Sequence, residues 1–148
     1  MEELKQVLRV VVANDFTMYF KTHSYHHNVE AMNFSELHGF FASLYEDLHA
    51  TYDVASEELR ALDEYAAISM TELYNWKTIE EDSLKPATAR DMLVRTQDAN
   101  EQMIESLNKL FEAATNAKKQ GLADYAAGRL DVHAKHGWML RSYLKVQQ

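Results

Sequence analysis

YHHNVEAMNFSELHGFFA, residues 25–42, holds the joint between two helices. Upstream of it, Leu4, Val7, Leu8, Val11 and Val12 recur at helical spacing, and Phe16, Tyr19 and Phe20 continue the pattern. The spacing predicts a first helix from about residue 3 to Val29. Glu30-Ala31-Met32-Asn33 breaks it, and Ser35-Glu36-Leu37 restarts a helix with Asn33 or Ser35 as its cap. Three histidines, His26, His27 and His38, flank this joint. They raise the question of a metal site against the alternative of a core that contains histidine.

Working outward, the second helix carries Leu37, Phe40, Phe41, Leu44, Tyr45, Leu48, Tyr52, Ala55, Leu59 and Leu62. Without proline, it is expected to reach about Leu62. Ile68 to Trp76 reads as a short helix. Pro86 suits the first turn of a third long helix, which carries Met92, Leu93, Met103, Ile104, Leu107, Leu110, Phe111 and Ala114. Lys118-Lys119-Gln120-Gly121 suits its end. A fourth long helix runs from Leu122 through Tyr125, Ala126, Leu130, His133, Trp138 and Met139 to Leu144. The gap between helices two and three is too long for a tight turn, so it is expected to cross the bundle. The order long, long, short, long, long predicts an all-α chain: a ferritin-like four-helix bundle with a short helix in the long crossover. Residues 1–148 are read as a single domain.

Composition agrees. Four glycines and one proline leave few turns for strand hairpins. The absence of cysteine excludes a disulfide framework, a zinc ribbon and a thiol nucleophile. No apolar run approaches the roughly 20 residues of a membrane span. The N-terminus carries acids and lacks a signal-peptide layout, so a cytoplasmic location is expected. The net charge of −8 argues against a general affinity for nucleic acid. It suits a solvated surface or an attraction for cations.

His38, Ala42, Asp53 and Glu57 share one face of the second helix, at about 0°, 40°, 60° and 100°. His38 and Asp53 nevertheless stand roughly 22 Å apart along the axis, while ligand bonds are about 2 Å. One straight helix cannot bring both to one ion. Either the two ends serve different purposes, or the helix packs antiparallel on a copy of itself across a two-fold axis. In the second case His38 of one chain meets Asp53 and Glu57 of the other. His26 joins from the end of the first helix, because the break at 30–34 turns the chain back beside it. Mixed imidazole and carboxylate donors suit Fe(II), Mn(II) or Zn(II). Against this stand plainer readings. A single buried histidine is more often a hydrogen-bonded core residue, and Asp-x-x-x-Glu on a helix is more often solvated surface. The strip Phe40, Phe41, Tyr45, Tyr52 reads as core or dimer interface.

His26-His27-Asn28, Phe34, Leu37-His38, Asp53-Val54-Ala55-Ser56-Glu57 and Arg60-Ala61-Leu62 fall in order at the spacings of the Dps family (DNA protection during starvation), small dodecameric relatives of ferritin. His136-Gly137-Trp138-Met139-Leu140-Arg141-Ser142-Tyr143-Leu144 is similar to the family's closing helix. The resemblance covers nearly the whole chain and is weakest at 63–85. It implies a ferroxidase and iron-storage shell that protects against oxidative stress. Fe(II) would be oxidised by hydrogen peroxide, or more slowly by oxygen, at sites between two-fold-related subunits. Carried over residue by residue, His26, His38, Asp53 and Glu57 match the iron ligands and catalytic residues. Asp124 matches an acid lining the three-fold entry pores, where it would attract cations; a plain surface acid is the other reading.

Three departures qualify the resemblance. A third acid usually stands where this chain has Ala42, the tryptophan beside the first histidine is His27 here, and acids flanking the second histidine are replaced by Gly39 and Ser43. Loss of a carboxylate implies weaker Fe(II) binding and slower oxidation. His27 and His49 are candidate extra ligands, His49 lying one turn before Asp53 on the same face. Many family members bind DNA through a Lys-rich tail. No such segment precedes the first helix or follows Leu144, so DNA binding is not expected. The alternative reading is a non-catalytic ferritin-like shell whose degenerate site binds zinc, another divalent metal or none.

Overall fold

The computed structural model describes residues 1–83 and 85–145. It contains α1 (Glu2–Asn28), α2 (Phe34–Ala61), α3 (Met70–Trp76), α4 (Ala89–Asn116) and α5 (Gln120–Leu144), with no strand among the described residues. α1 packs on α2, α4 on α5, and α1 also on α4 and α3. Side-chain pairs give the directions. His26 meets His38 and Phe16 meets Tyr52, so α1 and α2 are antiparallel. Thr51 meets Tyr125 and Phe40 meets Tyr143, so α2 and α5 are antiparallel as well. The crossover returns the chain so that α4 runs the same way as α2, as a bundle with one long connection requires.

Apolar stripes of the long helices form the interior. Leu4, Leu8, Val11, Val12 and Met18 of α1 meet Leu48, Ala55 and Leu59 of α2 and Met103, Leu107 and Leu110 of α4. A smaller cluster at the other end joins Tyr25, Leu37, Phe41, Leu44, Met92 and Leu140. This second cluster seats the α1–α2 joint, and so fixes where His26 and His38 stand.

Polar side chains of α1 pin the crossover. The buried Asn14 accepts from the amides of Thr78 (2.9 Å) and Ile79 (3.1 Å) and donates to Thr78 Oγ1 (2.9 Å). Asp82 takes Lys21 Nζ, the Tyr25 hydroxyl and Arg95 together. Glu64 is held by Lys5 and Arg9.

Helix ends depart from the sequence expectation at three points. α4 begins at Ala89, not at Pro86, because the Thr88 hydroxyl accepts from the Asp91 amide (3.1 Å) and starts the helix there. α3 begins at Met70, not Ile68, because Ser69 caps it. α4 stops before Gly121, which lies inside α5. Its stop is Lys118, at φ 57°, with Lys119 N donating to Ala114 O (2.8 Å) and Lys118 N to Thr115 O (3.0 Å). Asp63, at φ 62°, closes α2 with the same pair of bonds. Both ends thus adopt the left-handed turn that glycine favours without having glycine there. Phe20, Phe111 and Trp138, which the helical pattern places with the core, are exposed in the single chain.

Candidate metal centre

The α1–α2 joint locks two imidazoles against each other. His26 Nδ1 lies 2.7 Å from the His38 carbonyl oxygen, and His38 Nδ1 lies 2.7 Å from the His26 carbonyl oxygen. A carbonyl only accepts, so each Nδ1 carries the proton. In that tautomer the lone pair lies on Nε2, the arrangement a metal ligand needs. The rings stack at 3.6 Å between centroids, and Phe34 stacks on His38 at 5.0 Å. Both histidines are half-buried.

From this pair a ladder of rings runs along the α1–α2 seam. His23 stacks on Tyr45 at 4.0 Å, Tyr19 faces His49 at 5.0 Å, and Phe16 meets Tyr52 at 5.4 Å. Asp53 and Glu57 follow beyond Tyr52, both exposed. Within one chain they do not approach the histidine pair. Among the described residues, no three His, Cys, Asp or Glu side chains of one chain converge so as to hold a metal ion.

His27 is exposed, with its ring 5.4 Å from that of His26. His49 is exposed and packs on Tyr19, away from the pair. Ala42 is half-buried one turn after His38. The Ser43 hydroxyl is turned back to the Phe40 carbonyl at 2.6 Å. Asp124 is exposed in the second turn of α5. The sequence reading passed over His23. It lies 4.5 Å from His27 and 6.1 Å from His26, and Tyr19 Oη approaches its Nδ1 at 3.1 Å. Partial burial, and then the neighbouring His27, His26 and His49, lower its pKa from the ordinary histidine value. The i, i+4 spacing of His23 and His27 was the signal that could have found it.

A second polar group lies inside the bundle, unforeseen as a unit. Arg129 of α5 makes a two-pronged pair with Asp47 of α2, at 2.9 and 2.7 Å, and donates to His133 Nε2 at 3.0 Å. His133 Nδ1 donates to Asn100 Oδ1 at 2.8 Å, and Asn100 Nδ2 donates to the His133 carbonyl at 2.9 Å. His136 Nε2 reaches Asp47 Oδ2 at 3.1 Å. Burial, with the Arg129 charge second, pushes His133 down to about 3, so it is neutral. Burial opposes ionisation of Asp47, but its bonds to Arg129 and His136 win and hold it well below the usual carboxylate range. Asp15, fully buried and facing Arg129 and Asp47, is pushed well above that range by its burial.

Ferritin-like bundles place metal between facing helices with carboxylates and imidazoles. Here that interior is filled by a guanidinium: Asp47 is already neutralised, and His133 has both nitrogens engaged. The interior does not fit a dimetal group. The outer pair, with two lone pairs presented by locked rings, fits the donor chemistry of a divalent transition metal.

A family model for the ferritin-like domain matches residues 5–148. General stress protein 20U of Bacillus subtilis is 32% identical, the alignment covering 97% of this chain and 98% of that protein. DNA protection during starvation protein 2 of Bacillus anthracis is 29% identical, with 95% and 97% covered. The crystal structure of Dps from Staphylococcus aureus superposes with a TM-score of 0.93 at 26% identity, over 99% of this chain and 98% of that one. The fold and the described helices define a ferritin-like protein. Within that class, the chain belongs to the Dps family. Membership implies an iron-binding mini-ferritin.

Proposed function

We propose that this chain is the subunit of a Dps-like ferroxidase and iron-storage shell, built as a dodecamer. Fe2+ is its substrate and cargo. His26 and His38 of one chain supply nitrogen donors, and Asp53 and Glu57 of a two-fold-related copy supply the carboxylates. Two Fe2+ each give one electron to hydrogen peroxide, whose O–O bond breaks to yield two waters once two protons are taken up. Oxygen serves more slowly. Ferric mineral collects in the shell, so both reagents of hydroxyl-radical chemistry are removed and the cell is protected from oxidative stress. Asp124 draws cations to the entry pores. The reading includes a cytoplasmic location; among the described residues no helix is long and apolar enough to cross a membrane.

The observation that carries this reading is the reciprocal His26–His38 lock, which engages both Nδ1 atoms and leaves Nε2 of each ring as the nitrogen open to a ligand. The test is anaerobic Fe2+ titration of the parent and His38→Ala proteins, followed by peroxide and a ferric absorbance reading. The parent is expected to oxidise iron faster; equal progress curves would remove the reading. A native mass near twelve chains is expected, and a stable monomer would defeat a shared centre. With a net charge of −8 per chain, plasmid DNA is not expected to be retarded in a gel at moderate salt.

Ala42 favours a second reading: a non-catalytic shell whose carboxylate-poor site holds zinc, another divalent metal or none. Parent protein that binds Zn2+ at His26 and His38 but leaves Fe2+ unoxidised would establish it.

A further inference from the structure

His23 and His27 stand one turn apart on the same face of α1, with ring centroids 4.5 Å apart and planes inclined by 35°. Two histidines at i and i+4 on a helix are a chelating arrangement for zinc-type ions. At metal–nitrogen bonds of about 2.1 Å, two imidazoles sharing an ion hold their centroids roughly 4.5–5.5 Å apart. The observed 4.5 Å lies at the short end of that range.

Both rings have nitrogen to offer. His27 is exposed, and among the described residues its ring has no hydrogen-bond partner. His23 is held from two sides, by the stack on Tyr45 and by the Tyr19 hydroxyl at Nδ1. When Nδ1–H donates to that hydroxyl, Nε2 carries the lone pair. The neighbouring His26 and His38 have their own Nδ1 atoms tied to each other's backbone, so they are not free to re-aim toward this pair.

We propose that His23 and His27 form a second metal site, a bis-imidazole chelate for a borderline divalent cation of the zinc class, with water completing the coordination. No carboxylate belongs to it. An all-nitrogen donor set selects Zn2+, Cu2+ or Ni2+ over Mg2+, Ca2+ or Mn2+. The site lies beside the proposed iron centre but does not depend on it: both donors come from one turn of one chain.

The test is equilibrium dialysis of the assembled protein against buffered free Zn2+. It compares the parent, His23→Ala, His27→Gln and the double variant His26→Ala/His38→Ala. Loss of a ligand costs no less than the roughly tenfold in affinity that loss of an outer hydrogen-bond partner costs. His23→Ala and His27→Gln are each expected to weaken one zinc per chain by at least that factor, with circular dichroism unchanged. The His26→Ala/His38→Ala protein is expected to keep that zinc. Because His27 is exposed, its variant should fold even if His23→Ala does not. In the His26→Ala/His38→Ala background, Cu2+ electron paramagnetic resonance should show two imidazole nitrogens, lost with His27→Gln. Zinc affinity within twofold of the parent in both single variants would overturn the site. So would zinc lost only with His26 and His38, or copper without a second nitrogen coupling.

Discussion

Replacing Arg129 by Met removes the cation that pairs with Asp47 while keeping the aliphatic stem. Asp47 loses both bonds from the guanidinium, at 2.9 and 2.7 Å, and keeps only His136 at 3.1 Å. His133 Nε2 loses its donor. Breaking a buried pair from one side costs about 3–5 kcal/mol. The Asp47 side chain retains 28% of its exposure, so water recovers part of the loss and the lower end applies, about 3 kcal/mol. For a chain of this size that lowers Tm by roughly 6–12 °C. The assay is thermal unfolding by circular dichroism at pH 7 and one fixed protein concentration, since assembly makes Tm depend on concentration. Asp47→Leu added to Arg129→Met should recover more than half of the loss, because an apolar pair leaves no buried charge. The sign of the pH dependence is fixed too. Asp47 has a depressed folded pKa, so its contribution is present above the unfolded value of about 3.9 and lost as pH falls toward the folded one. The gap between parent and Arg129→Met should therefore narrow below about pH 4. A single variant melting within about 2 °C of the parent, or a double variant melting below the single one, would refute this account of the interior.

Asp15 is the opposite case: its raised pKa gives stability that is complete below about pH 3.9 and lost as pH rises through the folded value. Asp15→Asn should therefore gain in Tm relative to the parent as pH goes from 4 to 8, and a constant difference would show that Asp15 does not titrate as its burial requires. Ala42→Asp restores an acid one turn from His38 and should speed peroxide-driven iron oxidation several-fold; progress curves that overlay the parent's would mean position 42 does not face the metal. Asn14→Ala strands the Thr78 and Ile79 amides, at about 1–3 kcal/mol for each buried donor. Hydrogen exchange at those two amides should accelerate well before exchange in α4 does, and unchanged protection would show that Asn14 does not hold the crossover.

What the sequence disclosed follows from what is local. The His26–His38 pairing was legible because a short break between two periodic segments forces them antiparallel, and only one register then fits. Helix ends were less legible. Lys118 and Asp63 stop their helices in a conformation the rules reserve for glycine, since two backbone bonds at each end outweigh the side-chain penalty. The interior network was hidden because its members come from four helices. His133 fits the apolar stripe of α5 by spacing alone. That the stripe carries Arg129 one turn earlier becomes meaningful only when Asp47 of α2 is opposite. Phe20 and Trp138 followed the apolar rhythm and yet face outward in the single chain. Periodicity tells which residues avoid water, not whether a neighbour in the same chain covers them.

The two polar regions explain each other. The bundle interior holds Asp15, Asp47, His133 and His136, the residue types from which a ferritin-like fold could build a metal site between its own helices. Arg129 supplies the cation there, and its two-pronged pair compensates the Asp47 carboxylate. Five of the seven histidines collect instead on the outer α1–α2 face: His23, His26, His27, His38 and His49. On that face nitrogen and oxygen donors are segregated, imidazoles toward the joint and Asp53 with Glu57 toward the far end of α2. Along the axis of a single chain Asp53 stands roughly 22 Å from His38, and Glu57 farther still. In the proposed shell the hard oxygen ligands that favour iron over zinc, Asp53 and Glu57, come from a second copy. Under the proposed function, then, assembly is more than a container for product: it changes the donor set at His26 and His38 from one that suits zinc to one that suits iron.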